Sequence, residues 1–176
     1  MIITTQTDLD AFCAALAACP YITVDTEFLR DKTYFPKLFL LQMAGPNVEP
    51  GAIDPLAPGL DWTPVRDLMA NESVLKVFHA ARQDLEIFYR LFGVLPHPLY
   101  DTQVAAMVCG YGDSVSYEQL VNDLAKARID KSSRFTDWSR RPLTDAQLSY
   151  ALSDVTHLVK VYEALLDQLT KNGRLD

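Results

Sequence analysis

The run LFLLQMAG at residues 38–45 places the tightest constraint on how this chain can fold. It is almost continuously apolar and too short for a typical helix, which favours a β-strand covered on both faces. YITVDTEF before it and the short GAIDP after it also predict strands. Two further strands are predicted at VLKVFH (74–79) and PLYD, and helical patterns separate them. Strands that alternate with helices after an early group of three predict an α/β domain with a mixed sheet.

Size and composition indicate one globular domain covering residues 1–176. The chain has 176 residues, of which 49% are hydrophobic and 22% charged, so it can build a core and is not disordered in composition. No apolar run approaches the ~18 residues of a membrane span, and the start MIITTQTDLDAF lacks a signal-peptide pattern. Cys13, Cys19 and Cys109 form no C-x-x-C pair, so we expect packed thiols in a reducing cytoplasm. Because no apolar run is long enough to span a bilayer, we expect no membrane partner.

Charge is unevenly distributed along this chain, whose formal net charge is −7. An acidic chain is not coated with nucleic-acid-binding charge, but a local basic segment can still hold phosphates. Residues 126–141 carry a net +4, with Asp130 and Asp137 opposed by six basic side chains: Lys126, Arg128, Lys131, Arg134, Arg140 and Arg141. The segment is either a phosphate-binding strip or a solvated loop with ordinary charges, and composition alone does not decide.

Two carboxylates interrupt the strand YITVDTEF. Side chains alternate along a strand, so Asp25 and Glu27 share one face while Ile22 and Val24 point to the other. Two like charges ~4 Å apart repel by about 4 kcal/mol at an effective dielectric of 20, so a cation is expected between them. A lysine or arginine partner, or a strand face open to solvent, would explain the pair without any function.

The last helical segment carries a tyrosine and a carboxylate together. Tyr150 and Asp154 are four residues apart and therefore share a helix face, which we predict to lie off the packing stripe. That stripe comprises Leu148, Ala151, Leu152, Val155, Val159, Tyr162 and Leu166. Thr144 and Gln147 predict a capping box at the start of this helix. A surface helix with an isolated Asp and a half-buried Tyr is the plain alternative.

Asp84 follows the strand VLKVFH, in the first turns of the next helix. Ligands of α/β sheets bind at the carboxyl ends of strands, which makes Asp84 a candidate site residue. The helix dipole alone would also favour a carboxylate there. Asp101, in LYDTQ, is most simply explained as a helix N-cap.

Three segments resemble the motifs of a known enzyme family. VDTEF, HAARQDLEIF and YALSDVTHL are similar, in order and spacing, to the motifs of DEDD-type 3′→5′ exonucleases. Tyr150, four residues before Asp154, matches the tyrosine subclass. The sister subclass has a histidine five residues before the last aspartate, where this chain has Ser149.

The resemblance is closest to the ribonuclease D branch and covers almost all of the chain. It rests on TYFPKLFLLQMAG, PLYDTQVAA and SRFTDWSRRPLTDAQLSYALSD. It implies a ribonuclease H-like exonuclease fold with a mixed, five-stranded sheet flanked by helices. Ribonuclease D usually continues into helical HRDC modules, whereas this sequence stops at NGRLD. It is therefore either a compact single-domain member or the catalytic part of a longer protein.

The resemblance also implies the chemistry of the site. Asp25 would bridge two divalent cations, Mg²⁺ or Mn²⁺, and Glu27 and Asp154 would hold the ion on the water side. Asp84 would support the second ion through water, and Tyr150 would orient the attacking water. The implied reaction removes nucleotides from RNA 3′ ends, with transfer-RNA precursors as substrates and no obligate protein partner. Two rivals are a 3′→5′ exodeoxyribonuclease of the same fold and a non-enzymatic nucleic-acid-binding domain.

Contacts to substrate are predicted outside the acidic motifs. Phe28 could stack on a terminal base, as aromatic side chains do in single-strand sites, or belong to the core. Arg134, Trp138, Arg140 and Arg141 could bind RNA from the basic segment. Arg140 or Arg141 could instead pair with acidic residues of the domain body.

Overall fold

The fold is a six-stranded mixed sheet between two layers of helices, seen in a computed structural model that describes residues 1–30, 34–133 and 136–175. In chain order the strands are β1 (Ile2–Ile3), β2 (Tyr21–Leu29), β3 (Lys37–Gly45), β4 (Val48–Ile53), β5 (Leu75–Phe78) and β6 (Leu99–Asp101). Their spatial order is β1-β4-β3-β2-β5-β6. β2, β3 and β4 are antiparallel neighbours, whereas β1, β5 and β6 each join by parallel pairing. The predicted α/β class and mixed sheet are confirmed.

The sheet has one strand more than the five we predicted. The additional strand is β1, which consists of two residues and pairs in parallel with β4 through Ile2–Ala52 and Ile3–Ile53. Two residues are too few to show the period-2 alternation that identifies a strand in a sequence.

Within the described residues, six α-helices connect or follow the strands: α1 (Gln6–Ala17), α2 (Thr63–Ala70), α3 (Arg82–Phe92), α4 (Thr102–Val108), α5 (Tyr117–Leu120) and α6 (Asp145–Lys171). α5 continues directly into a π-helical turn at Val121–Ala125. α3 ends at Gly93, whose φ of 70° is in the left-handed region that glycine adopts without strain. The predicted capping box of Thr144 and Gln147 is present at the start of α6.

The two faces of the sheet have different helical covers. Ile22 and Val24 of β2 join the largest core cluster, which also takes residues from α1, α2 and α3. α6 covers the opposite face, where the Thr23 hydroxyl donates to the Val155 carbonyl at 2.8 Å. The odd-numbered positions of β2 from Thr23 onward therefore face α6. α4 and the α5 region pack on the C-terminal half of α6.

The buried face of α6 differs from the stripe we predicted. It comprises Ala151, Asp154, Val155, Leu158, Val161, Tyr162, Leu165 and Leu169, together with Gln147 at its first turn. Asp154, which we expected off the packing face, is only 8% exposed. The predicted stripe was drawn through apolar residues only, so its centre was displaced from the face that is buried and Asp154 fell off it. Here α6 turns Asp154 toward β2 instead.

Cys13 and Cys19 are buried, Cys109 is half-buried, and all three are free. Within the described ranges, every helix is too short or too polar to cross a lipid bilayer.

Candidate active site

Asp25 and Glu27 lie where β2 extends beyond its parallel neighbour. β2 pairs with β5 over Tyr21–Thr23 only, whereas its antiparallel pairing with β3 continues to Leu29. The two carboxylates therefore project past the carboxyl end of β5, on the face covered by α6. A register shift between Glu27 and Phe28 marks a β-bulge at this point, a feature often found beside active sites.

Asp154 of α6 completes a compact acidic group with this pair. Carboxylate oxygens of Asp25, Glu27 and Asp154 all lie within 4.8 Å of one another, although Asp154 is far from the other two along the chain. Asp25 and Glu27 are partly buried and Asp154 is buried. The convergence that the motifs implied is therefore present in the fold.

Asp25 is the member of this group whose ionisation is disfavoured. Burial, followed by the negative charges of Asp154, Asp84 and Glu27, raises the pKa of Asp25 well above its ordinary value. A divalent cation would reverse this effect by placing positive charge among the oxygens. Three carboxylates within 4.8 Å offer the hard oxygen donors that Mg²⁺ and Mn²⁺ prefer, so the group could hold such an ion.

Asp84 lies close to this group but outside the triangle of three. It is buried in the first turn of α3, and the Thr26 hydroxyl donates to its Oδ1 at 2.5 Å. Burial raises the pKa of Asp84 to about 6, although hydrogen bonds from Thr26 and from its own backbone N–H act in the opposite direction. Thr26, between Asp25 and Glu27, thereby connects the β2 motif to the α3 motif.

The turn that brings Asp84 into place is held by Asp101. Ala80, between β5 and α3, has a φ of 55°, an unfavourable value for a residue with a Cβ. Asp101 accepts hydrogen bonds from the backbone N–H groups of Ala80 and Ala81, each at 2.9 Å. It also accepts from Gln103 at 2.8 Å as the N-cap of α4, which confirms that expectation.

The acidic residues of β2, α3 and α6 line a cleft of about 440 Å³. Its walls carry the four carboxylates, and Tyr150 and Phe28 line it as well. The Tyr150 ring packs against Trp138, with ring centroids 6.3 Å apart. Phe28 also packs against the main core cluster, and its stacking on a terminal base stays a prediction. An acidic centre with an aromatic wall suits a phosphodiester next to a flat base.

Comparison with known proteins agrees with this geometry. Residues 1–170 match a family described as 3′-5′ exonuclease. The chain belongs to the 3′-5′ exonuclease family. Ribonuclease D from Jannaschia sp. (strain CCS1) is 59% identical over 175 residues, which cover 98% of this chain and 45% of that protein.

Solved structures of this family superpose closely on the chain. A crystal structure of Escherichia coli RNase D has a TM-score of 0.94 at 39% identity and covers 99% of this chain and 46% of that one. Brucella melitensis NrnC with bound Mg²⁺ has a TM-score of 0.80 at 26% identity, covering 91% and 78%. The resemblance to ribonuclease D and the expected fold are thus confirmed. The chain spans less than half the length of the curated relative and of the E. coli chain.

Three residues next to the candidate site were not predicted from the sequence. Thr26 orients Asp84, and the Tyr117 hydroxyl donates to the backbone carbonyl of Asp154, inside α6. Gln42 is fully buried directly opposite Asp25 on β3, and neither polar atom of its amide has a hydrogen-bond partner among the described residues. The available signals were a threonine between two acidic residues and a glutamine within an apolar run. The sequence around Tyr117 carried none.

The basic segment contributes less exposed charge than its composition implied. Trp138 is 2% exposed, within the core cluster beneath α6, and is not available for stacking on substrate. Arg141 makes two hydrogen bonds to Asp54, at 2.6 and 2.7 Å, and a third to the Phe39 carbonyl at 2.7 Å. Arg141 therefore pairs with an acidic residue of the domain body, which was the alternative prediction. The buried Asp54 carboxylate requires such a partner.

Arg140 remains on the surface. It is 84% exposed and forms an ion pair with Asp137 at 3.2 Å, so it stays accessible to phosphate. Arg134 lies outside the described residues, and its predicted role stays a prediction.

Proposed function

We propose that this domain is a metal-dependent 3′→5′ exoribonuclease of the ribonuclease D type. The observation that carries the proposal is the convergence of Asp25, Glu27 and Asp154 oxygens within 4.8 Å, with Asp84 next to them in a single cleft. Membership of the 3′-5′ exonuclease family supports the reaction type and polarity. The similarity to proteins named ribonuclease D supports RNA as the substrate.

We infer that two divalent cations, Mg²⁺ or Mn²⁺, occupy this cleft during catalysis. Asp25, Glu27 and Asp154 would hold one ion, Asp25 would be shared with the second, and Asp84 would support the second through water. The bound cations would supply the Lewis acidity that activates water and stabilises the leaving oxygen. The raised pKa of Asp25 is consistent with a site that needs cations to ionise fully.

The protein groups around the metal site have separable tasks. Tyr150 lines the cleft one helical turn before Asp154, where its hydroxyl can hydrogen-bond the attacking water. A phenol with an ordinary pKa of ~10 stays neutral, so we assign it orientation of the water rather than proton abstraction. Glu27 can also accept a hydrogen bond from the terminal ribose hydroxyl, which would select a free 3′ end.

We propose transfer-RNA precursors as the substrates and the cytoplasm as the compartment. The similarity to ribonuclease D supports the former, and the free thiols of Cys13, Cys19 and Cys109 suit the latter. The proposed reaction needs no obligate protein partner, because all four carboxylates and Tyr150 come from one chain.

Digestion of a transfer RNA with a 3′ extension tests the proposal directly. We expect stepwise loss of a 3′ label as mononucleotides in Mg²⁺, retention of a 5′ label on the shortened RNA, and no reaction in EDTA. Asp25→Asn should abolish turnover while the thermal melt stays intact. Faster loss from a matched DNA strand would replace RNA by DNA as the substrate, and metal-independent cleavage would remove the proposed chemistry.

A further inference from the structure

A surface beside the cleft combines exposed aromatic rings with arginines. It comprises Arg30, Tyr34 and Phe35 around the β2–β3 connection and Arg82 and Arg90 on α3, and we call it the Tyr34 surface. Tyr34 is 84% exposed and meets Phe35 edge to face, with ring centroids 4.7 Å apart. The core does not need a ring that is so exposed, so packing alone does not account for Tyr34.

Two described residues that flank Tyr34 in sequence, Arg30 and Phe35, each contact α3. The Arg30 guanidinium pairs with Glu86 at 3.3 Å. The Arg90 guanidinium carbon lies over the Phe35 ring, 3.2 Å from its centroid, in a cation–π contact. Because residues on both sides of the connection contact one helix, Tyr34 is presented from a supported base. A ring that is held in place loses little entropy when a flat partner stacks on it.

The Tyr34 surface continues from the mouth of the cleft. Phe28 lines the cleft and precedes Arg30 by two residues on the same chain segment. On α3, Arg90 is six residues beyond Asp84, which corresponds to about 9 Å along the helix axis and about 120° around it. The path from the carboxylates to Arg90 therefore passes onto the outer face of α3. A strand whose 3′ end lies at the carboxylates can therefore reach this surface with the nucleotides that precede its terminus.

The local charge favours an anionic strand. Arg82, Glu86 and Arg90 are spaced four apart and share one face of α3. Glu86 also pairs with Arg30, so three arginines surround a single glutamate and leave a positive surplus. The whole chain, in contrast, has a net charge of −7. Guanidinium groups bind phosphate oxygens through paired N–H donors, which makes this a suitable site for a phosphodiester backbone.

We propose that the Tyr34 surface binds the single-stranded part of the RNA immediately 5′ of the nucleotide being removed. A base stacks on Tyr34, and Arg30 and Arg90 hold the adjacent phosphates. Single-strand sites combine aromatic platforms with cationic grooves in this way, without reading base identity. The assignment rests on the proposed function, because it takes the acidic cleft as the position of the 3′ end.

Binding of fluorescently labelled single-stranded RNA to Asp25→Asn protein in EDTA tests this assignment without turnover. We expect Tyr34→Ala to weaken binding about tenfold, the usual effect of losing one stacking ring. Tyr34→Phe, which keeps the ring, should bind within about twofold of its parent. Arg90→Ala should weaken binding and reduce the salt dependence, whereas Arg66→Ala is the matched control. Arg66 is exposed on α2 and pairs with Asp67, away from the cleft residues.

The length of the RNA separates this surface from the cleft. We expect Tyr34→Ala to weaken binding of a longer oligonucleotide and to leave a dinucleotide unaffected, because the proposal places Tyr34 beyond the terminal nucleotides that the cleft receives. Unchanged binding of the longer RNA, or equal weakening for both lengths, would overturn the assignment. Tyr34-dependent binding by a protein that shows no nuclease activity would refute the proposed function only. If the protein is an active nuclease but Tyr34→Ala does not change its RNA binding, only the role of the Tyr34 surface in binding RNA would be refuted.

Discussion

The Thr26 hydroxyl donates a 2.5 Å hydrogen bond to Oδ1 of Asp84, which joins β2 to the first turn of α3. Both side chains are buried, so the bond is shielded from water and restrains the carboxyl rotamer. Asp84 lines the cleft but lies outside the compact group of three carboxylates. We therefore expect its orientation to depend on the hydrogen bond from Thr26.

Replacing Thr26 tests that dependence. Thr26→Val keeps the side-chain shape and removes the donor, and we expect turnover to fall about 10- to 100-fold, as is typical when a partner of a metal-site carboxylate is lost. Thr26→Ser keeps the donor and should retain most of the activity. Titration of turnover and of calorimetric binding with Mg²⁺ should show a higher half-saturation for Thr26→Val. Equal Mg²⁺ dependence for Val, Ser and wild type would show that Thr26 does not position Asp84.

The pKa of Asp84 makes the stability of the metal-free protein depend on pH. Because burial raises this pKa from 3.8 to about 6, the folded state binds the proton more tightly than the unfolded chain. The resulting stabilisation is fully present below pH 3.8 and is lost as the pH rises through about 6. We expect the free energy of unfolding in EDTA to fall by on the order of 1–3 kcal/mol from this group across that range.

Urea unfolding of wild type and Asp84→Asn at several pH values measures this contribution as a difference. Asp84→Asn should lack the part of the loss that comes from Asp84 and keep the part that comes from Asp25. Mg²⁺ at neutral pH should restore stability to the wild type because the cation binds the ionised carboxylates. Parallel pH profiles for the two proteins would contradict the assignment of the raised pKa to Asp84.

Local rules in the sequence predicted much of the site, because its parts follow local periodicity. Strand alternation placed Asp25 and Glu27 on one face, and that face is the one covered by α6. The capping box of Thr144 and Gln147 likewise needs only four residues, and it forms as expected. Each of these features depends only on residues that are close together in the sequence, so it can be predicted from one sequence without knowledge of the fold.

Features that depend on distant partners were not predictable in the same way. Arg141 appeared available for RNA because Asp54, its partner, is 87 residues away in sequence. The helical wheel placed Asp154 off the packing stripe of α6, because a wheel cannot show that the facing strand carries carboxylates. Tyr117 donates its hydroxyl hydrogen bond to a backbone carbonyl. Every residue has such a carbonyl, so the amino-acid sequence does not indicate this contact.

Arg141 is expected to matter for stability, unlike its neighbour Arg140. Arg141→Met removes two hydrogen bonds from Asp54, which is 5% exposed, and leaves a buried carboxylate without its ion-pair partner. Losing one partner of a buried pair typically costs about 3–5 kcal/mol. Arg140→Met is the matched control and should change the free energy of unfolding by less than about 1 kcal/mol, because its pair with Asp137 is exposed.

Chemical denaturation of both variants, with Asp54→Asn/Arg141→Met as a third protein, completes this test. The double variant should recover part of the loss, because a neutral amide is less costly to bury than an unpaired carboxylate. Equal stability of Arg141→Met and Arg140→Met would mean that the ion pair with Asp54 contributes nothing.

Tyr150→Phe separates the hydroxyl of the cleft tyrosine from its packing. The ring should keep its contact with Trp138, so we expect an unchanged thermal melt. Without the hydroxyl the attacking water loses its orienting partner, and kcat should fall by about 100-fold or more while KM changes little. Tyr111→Phe is the matched control, because it removes a hydroxyl that accepts from Gln168 away from the cleft. If Tyr150→Phe kept full kcat, or if Tyr111→Phe lost as much, Tyr150 would have no special role in orienting water.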